Sequence, residues 1–261
     1  MLKTKPFETG GIMNRIRQEK MIKYIESRSV ATIKELRELF PDISLMTLHR
    51  DLSALEEMGI VTKYRGGVRS VHQPDDIEFN IRIKENTAGK LSMIKKAMKL
   101  LRPQSSIFLD TSTSNLILAR NLPDMDLNIT TISPNIAIEL CRLKSPTVNL
   151  CGGAVNPRTL SVSGINTLEM LEKINIDIAF IGVSGCSSDV GFTCGTEADM
   201  LIKRLVIKKA RTSVVFCETD KLKRLMPYTF AEISNVDYVI SDQPLPESFI
   251  RKCEEGGTKI L

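Results

Sequence analysis

The chain has 261 residues, 42% of them hydrophobic and 26% charged, which is enough apolar material for two packed domains and argues against a disordered chain. No run of 18 or more apolar residues occurs and the N-terminus lacks an apolar signal core, so neither a membrane span nor secretion is expected, and a cytoplasmic location is. The net charge of +5 is unevenly placed: residues 1–70 hold 13 Lys+Arg against 9 Asp+Glu, and the remainder holds 23 against 22, so the basic excess lies where a nucleic-acid module would put it.

Residues 14–27 read as a helix, with Ile16, Met21, Ile22 and Ile25 at helical spacing. Thr32 then caps a second helix over 33–40, Glu35 completes a capping box, and Leu36, Leu39 and Phe40 form the inward stripe. Pro41-Asp42 stops it. Ser44 caps a third helix that runs to Met58 and ends at Gly59. Leu45, Leu48, Leu52 and Leu55 share one face of it, while Met46, Thr47 and Arg50 face the other way. Residues 60–69 alternate around Gly66-Gly67, a β-hairpin signal that carries Lys63, Arg65 and Arg69. A short helix, a tight turn, a helix with a polar first turn and a basic hairpin make a winged helix-turn-helix. Its partner is double-stranded DNA, with Ser44, Met46, Thr47, His49 and Arg50 in the major groove and Lys63, Arg65, Gly66, Gly67 and Arg69 along the backbone or minor groove.

Residues 71–86 are polar and contain Pro74-Asp75-Asp76. The division expected is a DNA-binding domain over 1–72, a linker over 73–86 and a second domain over 87–261. That domain opens with a helix over 87–101, with Lys90, Lys95, Lys96 and Lys99 on its wet side and Leu91, Ile94, Met98 and Leu101 inward. Strands are expected at 106–109, 127–131, 147–151, 177–183, 213–217, 236–240 and 258–261. Helices are expected at 114–121, 134–143, 164–173, 197–210 and 246–255. Repeated β-α units give an α/β, Rossmann-like fold with a mostly parallel sheet covered on both faces.

Such sheets bind ligands beyond the carboxyl ends of their strands. The loop Asp110-Thr111-Ser112-Thr113-Ser114 opens a helix with hydroxyls and free N–H groups, a cradle for phosphate. Gly152-Gly153 follows a later strand, where absent side chains let a ligand approach the backbone. Ser184-Gly185-Cys186 and Gly191-Phe192-Thr193 are read as further loop segments. Glu218 and Lys221 follow a later strand, and Lys203 lies on a helix between strand ends. The six cysteines form no CxxC pair and the two histidines lie far from them, so no metal site is expected and the thiols read as small buried apolar groups.

The segment "SLMTLHRDLSALEEMGIVTKYRGGV" (residues 44–68) resembles the N-terminal signature of the DeoR family of bacterial transcriptional regulators. Thr47, Arg50, Asp51, Leu52, Leu55, Glu56, Gly59, Arg65, Gly66 and Gly67 match its pattern, and His49 stands where the family has an Arg. The second domain is also similar to that family's sensor domain, through Asp110-Thr111-Ser112-Thr113-Ser114 with Ser112 in place of the usual Gly, Gly152-Gly153, Gly164, "DIAFIGVSGCSSDVGFT" (177–193) and Lys203-Arg204. Thr131-Ile132-Ser133 and Glu218-Thr219-Asp220-Lys221 depart from the family's Thr-Asn-Asn and Asp-x-Ser-Lys. The resemblance implies a fold like that of sugar-phosphate isomerases and a phosphorylated sugar or related anion as effector. The departures imply an altered effector preference or a weakened site.

The expectation is therefore a ligand-controlled repressor of a carbohydrate operon, with no catalytic residue, no metal and no cofactor. One winged helix covers too little DNA for operator specificity, so a homodimer or homotetramer is expected. The rival is a sugar-phosphate isomerase or deaminase using Asp110 and Glu218 as acid and base. A third reading is a DNA-binding protein that has lost its effector.

Overall fold

A computed structural model describes residues 9–28, 30–64, 66–70, 82–83 and 85–261. The chain divides into two compact units between Ile77 and Glu78. The first contains α1 (Thr9–Arg28), β1 (Val30–Thr32), α2 (Ile33–Leu39), α3 (Leu45–Glu57), β2 (Val61–Tyr64) and β3 (Gly67–Ser70). The capping box expected at Thr32 and Glu35 forms, with Thr32 N donating to Glu35 Oε2 at 2.7 Å and Glu35 N to Thr32 Oγ1 at 3.2 Å. Ser44 Oγ accepts from Thr47 N at 3.1 Å and so fixes the start of α3.

Met21 and Ile25 of α1, Leu36 of α2, and Leu48, Leu52 and Leu55 of α3 close a core with Ala31, Val61 and Val68. Three residues expected inside are instead exposed: Ile16, Leu39 and Leu45. Leu39 closes α2 and Leu45 opens α3, beyond the neighbours that cover the middle of each helix. Asp51 is buried on α3, its charge met by Arg17 Nε of α1 at 2.7 Å. The short strand β1 had no sequence signal. It completes a sheet of order β1-β3-β2 by pairing antiparallel to the hairpin.

The second unit is built on a seven-stranded parallel sheet. Its strands are β4 (Ser106–Leu109), β5 (Asn128–Thr131), β6 (Thr147–Leu150), β9 (Ile176–Gly182), β12 (Ala210–Cys217), β14 (Tyr238–Ser241) and β15 (Lys259–Ile260). The spatial order is β15-β14-β12-β9-β4-β5-β6. Chain order runs outward from β4 in one direction and then, from β9, in the other. The switch point lies between β4 and β9, where such sheets open a crevice at their carboxyl ends.

The strands are near-continuous apolar runs because helices cover both faces. On one face α4 (Thr87–Ala97), α5 (Thr113–Asn121) and α6 (Pro134–Leu140) pack Met93, Ile94, Leu116 and Ile136 against Ile107, Phe180 and Phe216. On the other, α7 (Ile165–Lys173), α8 (Glu197–Lys209) and α9 (Glu247–Gly256) pack Leu171, Ile202, Val206 and Phe249 against Phe108, Ile181 and Val215.

Two additions were not expected. The segments around Gly185 and Gly191, read from sequence as ligand loops, are strands β10 (Gly185–Ser187) and β11 (Gly191–Cys194), which join β13 (Tyr228–Ala231) in an antiparallel sheet. Phe192 of that sheet stacks on Phe230 and meets Phe249 edge-on, so it belongs to the core. A second hairpin, β7 (Ala154–Asn156) with β8 (Ser161–Ser163), follows β6. The helix expected over 87–101 ends at Ala97 and tightens into a 3₁₀ turn, Met98–Leu100. Its inward face also differs: Gly89, Lys90, Met93, Ile94 and Ala97 are buried, and Leu91 is exposed. All six cysteines are free; five are buried and Cys141 is exposed. Burial pushes the Cys151 and Cys253 thiols up to about 11, as inert packing groups.

Candidate functional site

In the first unit, Met46, His49, Arg50 and Ser53 fall at i, i+3, i+4 and i+7 along α3, one stripe away from the buried leucines. Met46, His49 and Arg50 are exposed, and Met46 is 82% accessible. Thr47 is half-buried, its Oγ1 lying 2.9 Å from Ser44 Oγ. The wing is tied to this helix. Lys63 N donates to Glu56 Oε1 at 2.8 Å, and Lys63 Nζ reaches Ser53 Oγ at 2.8 Å and Glu56 Oε2 at 3.3 Å. The Lys63 amide, more than its ammonium, holds the Glu56 carboxyl below its ordinary range. Lys63 therefore braces the wing against α3 as well as adding charge beside Arg50. Gly66 and Gly67 form the hairpin tip; a side chain at Gly67 would collide with the Tyr64 ring and with the Ala31 carbonyl of β1. Arg65 and the side chain of Arg69 lie outside the described residues.

In the second unit a cavity of about 460 Å³ opens beyond the carboxyl ends of β9 and β12, beside the switch point. Ser112, Thr113 and Ser114 of the loop after β4 line one wall. Ser112 caps α5, its Oγ accepting from Asn115 N at 3.2 Å. The Thr113 and Ser114 amides then have no intrahelical acceptor and carry the positive end of the helix dipole. Glu218 and Lys221 line the facing wall, together with Thr219, Asp220 and Arg224.

Asp110 and Lys203, expected in the ligand site, are not among the cavity-lining residues. Both are buried and brace the loop from behind. Asp110 Oδ1 accepts from Ser112 N and from Asn115 Nδ2, each at 2.8 Å, and Oδ2 accepts from Gly182 N at 2.8 Å. Lys203 Nζ donates to Gly182 O at 3.0 Å and lies 2.8 Å from Asp199 Oδ2 and 3.7 Å from Asp110 Oδ2. Burial alone would depress Lys203; the two carboxylates outweigh it and hold the ammonium above its ordinary value. The pair locks β4 to β9 across the switch point. Gly182 is required there, because a side chain would occupy the space of Ser112 Cβ.

Thr111, Thr131, Ser133, Gly152 and Gly153 are not brought to the cavity either. Thr131 Oγ1 donates to Leu109 O at 2.8 Å and accepts from Ser133 N at 3.1 Å, and Ser133 caps α6. Gly153 makes room for Ser163 of β8, and Gly152 O accepts from Thr167 Oγ1 at 2.7 Å. Thr131, Ser133, Gly152 and Gly153 thus join adjacent strands and helices away from the cavity.

The cavity gains residues that sequence reasoning placed in a linker or on a wet helix face. Arg82, Glu85 and Asn86 line it, as does Lys90, which is 2% exposed. Lys90 Nζ donates to Arg82 O and Glu85 O, each at 2.7 Å, and lies 3.7 Å from Glu218 Oε1. Asn86 Nδ2 donates to Glu218 Oε2 and to Asp242 Oδ2, both at 2.8 Å. Burial lowers Lys90 and raises Glu218 from their ordinary values, in each case against the attraction of the other. Asp242 Oδ1 accepts from Thr219 N, and Asp220 pairs with Lys221 and Arg224. The wall thus holds four cations and four carboxylates, each of these carboxylates but Glu85 engaged by a neighbour named above. Asn86 itself has a left-handed backbone (φ 46°), a conformation its place in a polar stretch does not announce.

Residues 17–74 match the DeoR-like helix-turn-helix domain, and residues 85–243 match the DeoR C-terminal sensor domain. The chain belongs to the DeoR family. This DeoR-family chain is 28% identical over 246 residues to the HTH-type transcriptional regulator GolR of Listeria innocua, across 94% of its own length and 96% of that protein. It is 30% identical over 250 residues to the HTH-type transcriptional regulator YgbI of Escherichia coli, across 94% and 96%. It is 27% identical over 243 residues to the HTH-type transcriptional repressor GlcR of Bacillus subtilis, across 92% and 93%. The protein is a DNA-binding transcriptional regulator and not an enzyme. No helix among the described residues is long and apolar enough to cross a membrane.

Proposed function

We propose that this DeoR-family protein is a repressor of carbohydrate-metabolism genes whose grip on an operator is set by a phosphorylated sugar or related anion in the second unit. The observation that carries the reading is the cavity at the switch point, where the α5 N-terminus faces Lys90, Lys221 and Arg224. Helix amides with a Ser/Thr loop suit a phosphate group. Glu218 and Asp242 across the cavity are acceptors, suited to the hydroxyl donors of a sugar chain. The GlcR relative is named as a repressor, which favours the same sign here.

At the DNA end, Met46, Thr47, His49 and Arg50 meet base edges, with Ser44 at the helix start and Lys63, Arg65, Gly66, Gly67 and Arg69 along the backbone. The protein acts as a homo-oligomer, because one winged helix spans one half-site. The test is a melting-temperature screen of the whole protein against phosphorylated sugars and their unphosphorylated parents. A hit should raise the melting temperature by mass action and change the affinity for a DNA fragment selected from the genome. A screen in which phosphorylated and parent sugars behave alike would remove the anion reading.

A further inference from the structure

Lys90 is a buried cation that neither DNA binding nor α/β packing requires. It sits in the first turn of α4, and its ammonium has three protons to place. Two go to backbone carbonyls, Arg82 O and Glu85 O at 2.7 Å, and the remaining direction faces Glu218 Oε1 at 3.7 Å. The carbonyls belong to residues near the start of the second unit, on the side of the chain that leads in sequence from the DNA-binding unit. The neighbouring Asn86 is also held from the cavity, by its Nδ2 bridging Glu218 and Asp242. So these interactions fasten Arg82, Glu85 and Asn86 through groups that also line the cavity.

A charged oxygen is a stronger partner for an ammonium than a neutral carbonyl. An anion seated at the α5 N-terminus therefore competes with Arg82 O and Glu85 O for Lys90, and repels the carboxylates that anchor Asn86. We propose that Lys90 is the positioning residue that passes occupancy of the cavity to the chain leading to the DNA-binding unit: it clamps the backbone at Arg82 and Glu85 by two carbonyls, and an anion in the cavity draws it off them. This deepens the reading above and rests on it. It supplies the differential contact that any ligand needs in order to shift a two-state equilibrium. The burial that depresses Lys90 also makes an entering negative charge more favourable to it.

The experiment is amide hydrogen exchange of the full chain, with inorganic phosphate as the probe and chloride at matched ionic strength as the control. Wild type should show slower exchange at residues 112–115, which reports binding, and several-fold faster exchange across 82–90, which reports release of the clamp. In Lys90→Met, residues 82–90 should exchange fast with or without phosphate, while residues 112–115 still respond. Should Lys90→Met fail to fold, Lys90→Arg replaces it, and the response at 82–90 should return because the charge is kept. Phosphate slowing 112–115 in wild type with 82–90 unmoved overturns the clamp and leaves the anion site standing. No response at 112–115 overturns the anion site and the relay with it. Protection at 82–90 that survives Lys90→Met also overturns the clamp.

Discussion

Replacing Asp110 with Asn tests the claim that this residue is a brace and not a ligand contact. The carboxylate is 1% exposed and accepts three hydrogen bonds, two on Oδ1 and the Gly182 amide on Oδ2. An Asn keeps one acceptor oxygen. Its amino group would face the Gly182 N–H and the Lys203 ammonium 3.7 Å away. An orphaned buried amide costs about 1–3 kcal/mol, and removing one partner of a buried ion pair costs about 3–5 kcal/mol. Asp199, 2.8 Å from Lys203, keeps that lysine paired, so the sum should fall short of both together. A loss of about 2–4 kcal/mol is expected, which for a unit of this size lowers the melting temperature by roughly 4–16 °C. Scanning calorimetry on the full chain can follow this unit separately from the DNA-binding one. The partly exposed Asp199, changed to Asn, should cost less. Asp110→Asn within about 0.5 kcal/mol of wild type, the ordinary range for a surface substitution, would refute the brace.

At the DNA end, Arg50→Ala should weaken specific binding by about 1–3 kcal/mol if it reads a base edge, measured by gel shift at fixed salt; unchanged affinity would take Arg50 off the contact stripe. Gly67→Ala should destabilise the first unit by about 1–3 kcal/mol, read by urea unfolding, because the Ala31 carbonyl it would strike is backbone of β1 and cannot swing aside. Burial, opposed by Lys90, Lys221 and Asn86, raises Glu218 above its ordinary value of 4.5. A carboxyl raised on folding contributes stability that is complete below 4.5 and is lost as pH rises through the raised value. Glu218→Gln should therefore flatten that part of the stability–pH curve between the carboxylate range and neutrality, and identical slopes for the two proteins would contradict the assignment.

Much of this protein was legible in its residues alone. Caps, periodicities and the Gly-Gly hairpin around residue 66 predicted three helices and a wing, because those signals act over a few neighbouring residues. The apolar strand runs predicted the parallel sheet, since burial on both faces leaves its mark on composition. Ser112, Thr113, Ser114, Glu218 and Lys221 were likewise expected near a ligand from their place at strand ends, and they line the cavity. What sequence order did not settle was which strand ends share a crevice. The sheet turns outward at β4 and again at β9, which sends Thr131, Ser133 and Gly152 to the side away from the cavity and brings β12 and β14 to it. Lys90 shows the same limit: its spacing reads as a solvated lysine, and only the tertiary structure brings it the carbonyls of Arg82 and Glu85. Local chemistry chose the elements; long-range packing decided which polar groups became a buried brace and which line the cavity.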